Sequence, residues 1–385
     1  MIAEGAFLAS VGLAAYTYLG YPVLMWALAR LRKTFVGEAE EFPYSTPHVS
    51  LLVAAYNESG IIAQKVENAL SLQYPADRLE MLIGSDGSTD ATVQVAASTL
   101  PASRGRVLQM ARRGKSWVIN DLAAAASGEI LVFTDANTMF EADALRELVR
   151  PFGDPDIGCV SGLLHLAPIS DDVGSKGESF YWKYETFKKT QENVFRAVAG
   201  ANGAIFAVRK ELYIPLSPKT INDDLTTSMR VYLQGKRMVL VSDARGHETT
   251  APELAGEFER HIRDSAGHFR ALLELAGMLD PRLGMPAFCF ISHRVVRWLV
   301  PFFMIGAFLS SAILLDHPVY RWMFFVQVIA YAAFLAVTPW AFRGKGFGPF
   351  RVPYYFVLVN VAIVLGFARF LAGTQQSKWE PTARA

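Results

Sequence analysis

The chain has 385 residues, of which 52% are apolar and 19% charged, with a formal net charge of +1. That length holds one large domain with added elements, or two modest ones. The balanced charge supplies no global basic field, so nucleic acid is excluded as a partner on composition.

The first element is an uncharged run, Gly5 to Ala29, followed by Arg30, Arg32 and Lys33. It is too long for the apolar core of a signal peptide, lacks a charged leader, and ends in basic residues rather than a small-residue cleavage site. It therefore reads as a retained membrane helix. Three more uncharged runs follow late in the chain: Trp298 to Leu315, Trp322 to Phe342 and Val352 to Ala368. A bilayer core needs roughly 20 helical residues, so each is long enough, or nearly so, to span. Basic flanks stay in the cytoplasm, and the first run's flank, His293, Arg294 and Arg297, and Arg343, Lys345 and Arg351 agree in putting the intervening domain there. With four full spans the tail falls on the opposite side. The last run carries Pro353, Asn360 and Arg369 and also reads as a re-entrant or bundled segment. Two cysteines, Cys159 and Cys289, lie far apart and suit a reducing compartment.

Between the anchors, strands alternate with helices. His48 to Ala54 reads as a strand ending in Tyr56-Asn57-Glu58, and a helix follows from Ile61 to Leu72. Leu79 to Gly84 is a second strand, ending in Ser85-Asp86-Gly87-Ser88-Thr89-Asp90, with a helix to about Leu100. Arg106 to Met110 is a third strand and Lys115 to Ala126 a third helix. Ile130 to Thr134 is a fourth strand, ending in Asp135-Ala136-Asn137. Such alternation predicts βαβ units and a mostly parallel sheet, in which ligands bind beyond the carboxyl ends of the strands. The polar clusters sit at those ends. Carboxylates and amides facing one crevice suit a ribose, a base edge and a hard cation, and Lys115 supplies positive charge for a phosphate. No GxxxxGK[ST] loop and no GxGxxG occurs, which excludes a P-loop NTPase and disfavours a dinucleotide-binding domain. Taken alone, Asp86 to Asp90 also reads as a turn with a helix N-cap. Both acidic strand ends together, with a lysine between them, point to a site.

The blocks VSLLVAAYNES (49–59), IGSDGSTD (83–90), RRGKSWVIN (112–120) and EILVFTDANT (129–138) resemble inverting family 2 glycosyltransferases. The resemblance is to membrane-bound members of the cellulose-synthase-like and chitin- or hyaluronan-synthase-like group. GANGAIFAVRK (200–210), NDDLTTSMRVYLQGKRMVL (222–240) and ERHIRDSAG (259–267) follow in the family's order. The resemblance implies an α/β GT-A fold flanked by membrane helices, and a nucleotide-diphosphate donor, a UDP-sugar by family expectation. It divides the chain into an N-terminal helix with its basic flank (1–33), a cytosolic GT-A domain (45–250), amphipathic interface helices (255–292), a C-terminal membrane region of about three helices (293–373) and a tail (374–385).

It also implies roles for matching positions. Tyr56, Glu58 and Asp86 would hold the nucleoside, and Lys115 the phosphates. Asp135 stands where the first Asp of a DxD motif meets the donor and Asn137 where the second meets the cation, so Mg²⁺ or Mn²⁺ is the implied cofactor, held more weakly than by an intact DxD. The catalytic base would be Asp224, with Asp223 raising its pKa by like-charge repulsion; acids at a helix start are also explained by the helix dipole alone. Gly200, Asn202 and Gly203 would form a close backbone approach beside the acceptor. Arg260 and Arg263 stand at the basic positions of a Q-x-x-R-W block and would meet the leaving diphosphate. Asp264 replaces that block's aromatic, which counts against processive polymerisation. The same segment reads as an amphipathic helix, with Phe258, Ile262, Ala266, Phe269, Leu272, Ala276 and Leu279 on one face and Arg260, Arg263 and Arg270 along another. His165 and His247 are given no ligand role.

The acceptor implied is a glycan or lipid-linked sugar at the membrane, with polysaccharide-assembly proteins as further partners and the bacterial inner membrane as location. A polyprenyl-phosphate glycosyltransferase is the neighbouring alternative. A non-catalytic export component is a second, against which stands the scarcity of acids within the spans.

Overall fold

The computed structural model describes residues 1–36, 42, 45–167, 173–249, 254–343 and 351–375. The chain enters through helix α1 (Ile2–Ala15), a π-helical turn (Tyr16–Gly20) and α2 (Tyr21–Val36). Then come β1 (Val49–Ala55), α3 (Ile62–Leu70), β2 (Leu79–Asp86), α4 (Thr92–Thr99), β3 (Gly105–Met110), α5 (Lys115–Ala125) and β4 (Ile130–Asp135), close to the expected bounds. The second half holds β5 (Met139–Phe140), α6 (Ala144–Val149), β6 (Ile157–Ala167), α7 (Val173–Asn193), β7 (Phe206–Arg209), α8 (Asp223–Leu233) and β8 (Arg237–Thr249). Last are α9 (Leu254–Glu274), α10 (Met285–Cys289), α11 (Val296–Ile313), α12 (Pro318–Ala341) and α13 (Arg351–Ala372).

One eight-stranded sheet runs β3-β2-β1-β4-β7-β6-β8-β5. Its first four strands are parallel, as the βαβ pattern predicts. β7 then pairs antiparallel with both β4 and β6, and β8 lies parallel to β6. The finished sheet is therefore mixed, with its parallel half carrying the acidic strand ends. Strand order reverses across β1, flanked by β2 and β4, the kind of switch point that opens a crevice.

Both faces of the sheet are covered. Val49, Leu51 and Val53 pack with Ile62 and Val66 of α3 on one side; Leu52, Leu82 and Leu131 pack with Val118 and Leu122 of α5 on the other. The alternation along β1 is the two-residue period of a strand buried on both faces.

Among the described residues, four helices are long and apolar enough to cross a membrane: Ile2–Phe35, Met285–Ile313, Pro318–Ala341 and Val352–Ala372. The second begins well before Trp298. Helix α10, a π-helical stretch (Phe290–Val295) and α11 run on as one rod, so His293, Arg294 and Arg297 lie within a helix rather than on a flank. Those charges are turned inward onto the catalytic domain, where burial would be prohibitive unless paired. Helix α9 begins at Leu254 and ends at Glu274; Ala276 and Leu279 fall in a 3₁₀ turn beyond it. It seats directly on α13. A side chain at Gly366 would meet the Ile262 carbonyl oxygen at 2.6 Å, so only glycine permits this approach. Trp379 and Lys345 lie outside the described residues.

Candidate active site

Pairing of the parallel strands brings the acidic ends together: Ala54 is opposite Asp135, and Ala55 opposite Ser85. Asp86 is fully buried and accepts hydrogen bonds from the backbone amides of Arg113 (2.7 Å) and Gly114 (3.0 Å). The Arg112 guanidinium lies 3.7 Å from the same carboxylate and covers the Tyr56 ring. Around them the two loops are laced by short-range bonding. Asn57 accepts from the Thr89 amide (2.9 Å), Asp90 from the Ser59 amide (3.1 Å), and Thr92 from the Glu58 amide (2.8 Å). The turn-and-cap reading thus applies to Ser88, Thr89 and Asp90, whereas Asp86 is buried beneath the Arg113–Gly114 backbone.

Lys115 opens α5 and is the hub of the acidic groups. Its Nζ is 3.0 Å from Asp135 and 3.5 Å from Asp223. Burial opposes its charge, but Asp135 and Asp223 outweigh that and hold its pKa above the usual lysine range. Burial, partly countered by Lys115 and reinforced by Asp224, pushes the Asp223 carboxyl up to about 6. Asp224 is also raised by burial, against the Leu225 amide, Lys115, Lys189 and Arg294. Two acids with lifted pKa values and one shared cation form a group able to take up a proton near neutrality.

The strip before β7 is shaped to meet Asp224. Gly200 adopts φ +96°, a backbone region that side chains disfavour. At Gly203 a Cβ would sit 3.1 Å from Asp224 Oδ2. Asn202 is fixed from three sides: its amide N–H donates to Ser161 Oγ (3.0 Å), its side chain donates to the Gly162 carbonyl (2.5 Å), and it accepts from Lys189 Nζ (2.7 Å). The strip therefore runs directly against the Asp224 carboxylate.

Asp224 and Gly203 line a cavity of about 220 Å³ that also touches α7, α9, the Met285–Ile313 rod and α13. From α9 come Arg260, Asp264 and His268, spaced by four and so on one helical face. Arg263 lies off that face and is not among the lining residues; its guanidinium pairs with Asp264 at 3.2 Å. Arg260 and Arg263 thus flank Asp264, Arg260 on the cavity side and Arg263 beyond it. His247 pairs with Glu141 (2.8 Å) and stacks on His165, at the β8 side of the sheet.

For a divalent cation the relevant oxygens are those of Asp135, Asn137 and Glu248. Asn137 Nδ2 donates to the Glu248 carboxylate, which commits the amide nitrogen and leaves its oxygen for other partners. Two carboxylates and an amide oxygen make a hard donor set of the kind Mg²⁺ and Mn²⁺ take alongside phosphates, so the residues fit the group. No set of three His, Cys, Asp or Glu side chains converges as a self-sufficient metal site among the described residues.

Three features escaped the sequence reading. Glu248 reaches Asn137 only because β8 joins the sheet. Lys65 is buried in α3, where its Nζ donates to Thr134 Oγ1 (2.9 Å) and the Thr138 carbonyl, bracketing Asp135 to Asn137. Burial pulls its pKa down to about 7 despite Asp135 and Glu248. Its signal was available: a lysine at the core-facing spacing of Ile62, Val66 and Ala69. The third is a clamp on Ala199. Tyr21 of the first membrane helix donates to Glu192 (2.6 Å), Glu192 accepts from the Ala199 amide (2.9 Å), and Arg294 donates to the Ala199 carbonyl (2.6 Å). Membrane helices from both ends of the chain therefore hold the peptide just before Gly200.

A mixed sheet with acidic strand ends at its switch point, and a raised carboxylate pair beside a cavity at the membrane helices, defines a GT-A glycosyltransferase. Residues 47–267 match the family described as Glycosyltransferase like family 2, and the chain belongs to that family. Among curated relatives, it is 29% identical over 248 residues to the beta-monoglucosyldiacylglycerol synthase of Synechocystis sp., covering 61% of this chain and 50% of that protein. It is 24% identical over 271 residues to the poly-beta-1,6-N-acetyl-D-glucosamine synthase of Staphylococcus aureus, covering 66% of this chain and 65% of that one. The chain spans about half the length of the first of these. Of the solved structures, a mannosyltransferase from Pyrobaculum calidifontis, in complex with GDP-Man and Mn²⁺, superposes with a TM-score of 0.70 at 21% identity. It covers 95% of this chain and 99% of that one.

Proposed function

We propose that the protein transfers a sugar, with inversion, from a nucleotide-diphosphate donor to a hydroxyl of a glycan or lipid-linked acceptor at the cytosolic membrane face, in cell-envelope or exopolysaccharide assembly. The observation that carries this reading is the position of Lys115, whose single ammonium joins Asp135 at the donor crevice to Asp223 beside the base. Tyr56, Glu58 and Asp86 hold the nucleoside, a uridine if the family expectation holds; Lys115 and Arg260 lie toward the diphosphate. Asp135 and Asn137, with Glu248 beside them, hold a divalent cation, Mg²⁺ or Mn²⁺, and Lys65 keeps their loop in place. When bound, that cation supplies positive charge to the leaving diphosphate.

Asp224 accepts the proton of the acceptor hydroxyl as its oxygen bonds to the anomeric carbon, while the bond from that carbon to the phosphate oxygen breaks and the nucleoside diphosphate leaves. One displacement completes the exchange, with no covalent enzyme intermediate. Gly203 leaves Asp224 Oδ2 uncovered, and the Ala199 clamp keeps the strip in register. Support for the membrane location comes from the four long apolar helices, and for the chemistry from the raised pair.

The test is nucleoside-diphosphate release by the full-length protein in detergent, against a panel of nucleotide sugars with membrane extract as acceptor. Release from one donor, abolished in Asp224→Asn and suppressed by EDTA, is the expected result. An Asp224→Asn protein that transfers at the wild-type rate, or loses donor binding altogether, removes Asp224 from the role of base.

A further inference from the structure

Helix α7 buries a stripe of charge. Glu185, Lys188, Lys189 and Glu192 are spaced i, i+3, i+4 and i+7, the pattern by which a helix presents apolar residues to a core, and none is more than 3% exposed. Burying ionised side chains often costs as much as their pairing returns, so such a stripe is a weak source of stability. Its contacts have two destinations. On one side are the membrane helices: Glu185 lies 2.9 Å from Arg294 and 3.6 Å from Arg297, and Glu192 accepts from the Tyr21 hydroxyl (2.6 Å) and His293 Nδ1 (2.6 Å). On the other is the strip that reaches Asp224: Glu192 accepts from the Ala199 amide (2.9 Å), and Lys189 donates to Asn202 Oδ1 (2.7 Å).

Two further observations point to the same place. The backbone on either side of Ala199 holds disfavoured angles, with Arg196 at φ +52° and Gly200 at φ +96°. A non-glycine residue keeps such an angle only where its surroundings impose it. Both membrane rods also turn π-helical where they meet α7. One such turn, Tyr16–Gly20, immediately precedes Tyr21, and the other, Phe290–Val295, contains His293 and Arg294. The Tyr16 hydroxyl joins them, donating to Ser292 Oγ (2.8 Å). A π turn shifts the side chains beyond it out of α-helical register, and such turns recur at functional sites. Glu192 touches both rods and the strip. Burial opposes its charge, but His293, Tyr21 and the Ala199 amide outweigh that and hold its carboxyl below the usual range, so both oxygens accept.

We infer that Glu192 is a positioning residue for sugar transfer and that Tyr21 of the first membrane helix acts through it, so that this helix serves turnover as well as anchorage. The inference rests on Asp224 being the base. The route between them is short. Glu192 holds the amide of Ala199 and Arg294 its carbonyl, Gly200 turns the chain, and at Gly203 an added Cβ would stand 3.1 Å from Asp224 Oδ2. A strip released at Ala199 shifts against that carboxylate and moves it off the acceptor oxygen. Asp86 and Asp135, at the ends of β2 and β4, take their partners from Arg113, Gly114 and Lys115 instead, so the loss falls on turnover rather than on donor affinity.

The test uses the full-length protein in nanodiscs, with the donor identified above and membrane extract as acceptor. Glu192→Gln turns an amide nitrogen toward one of the three donors. Its kcat should fall about ten- to a hundredfold, the loss expected of a misplaced reacting group, while the donor KM moves less than about twofold. Tyr21→Phe removes one hydroxyl, keeps the ring and leaves Glu192 charged, and serves as the second variant should Glu192→Gln fail to fold. Its kcat should fall about three- to tenfold, the worth of one hydrogen bond, again at unchanged donor KM. Tyr354→Phe is the control: it deletes a hydroxyl of α13 that donates to Thr338 Oγ1 (3.4 Å), and its rate should match wild type. Wild-type kcat in either Glu192→Gln or Tyr21→Phe, equal losses in Tyr21→Phe and Tyr354→Phe, or a donor KM that rises in step with the fall in kcat overturns the inference and leaves Asp224 as the base. A wild-type rate in Asp224→Asn overturns the underlying reading.

Discussion

Replacing Lys115 by methionine tests the electrostatics of the site most directly. Lys115 Nζ lies 3.5 Å from Asp223 and 3.0 Å from Asp135. A unit pair at 3.5 Å is worth about 5 kcal/mol at an effective dielectric near 20. The lysine side chain is 26% exposed and that of Asp223 10%, so solvent screening reduces the figure to about 2–3 kcal/mol. At 1.36 kcal/mol per pKa unit, that corresponds to about 1.5–2 units. The sign is set by charge: removing a cation disfavours the ionised carboxylates, so the Asp223–Asp224 pair titrates higher. In the wild type burial has already pushed Asp223 up to about 6. The acid limb of kcat/KM against pH, measured by nucleoside-diphosphate release from about pH 5 to 9, should therefore move up by about 1.5–2 pH units in Lys115→Met. A limb that stays put, or moves down, would falsify the account of Lys115 as the cation that keeps the pair ionised.

Two further changes probe the support of the site. Gly203→Ala puts a methyl 3.1 Å from Asp224 Oδ2 and should lower kcat by about tenfold or more while donor affinity stays within about twofold; equal losses in both would show that the strip serves the donor instead. Lys65→Met removes a buried cation whose pKa falls from 10.5 to about 7 on folding. A lysine with a depressed folded pKa costs stability most below about pH 7, and the cost fades as pH rises toward 10.5. Thermal denaturation should therefore show the variant holding or exceeding wild-type stability at pH 6, with its relative advantage shrinking toward pH 9. Transfer should fall at the same time and need more Mn²⁺ to saturate. A variant equally active at all Mn²⁺ concentrations would remove Lys65 from the support of the Asp135 loop.

Much of the architecture was legible because it is local. The β1 to β4 alternation, the acidic strand ends, Lys115 opening α5 and Asp223-Asp224 opening α8 are all set by side-chain period and helix-start chemistry within a dozen residues. The apolar runs were equally plain, since a long uncharged helix has few other environments. The rest depended on partners distant in the chain. β5 pairs with β8, Met139 opposite His247, although most of the domain's second half lies between them in the chain, so Glu248 meets Asn137 only in the finished sheet. Arg260 and Arg263 look equivalent in sequence and lie only about 60° apart on the helix, yet Arg260 lines the cavity while Arg263 pairs with Asp264 at its edge. His293, Arg294 and Arg297 read as a membrane flank and prove to be inward-facing, because Glu185 and Glu192 of α7 supply the countercharges. The sequence by itself determined the parallel half of the sheet, the acidic ends of its strands and the long apolar helices. Only the tertiary structure decided what faces Asp224, because that cavity is walled by six separated parts of the chain and no local pattern encodes their convergence.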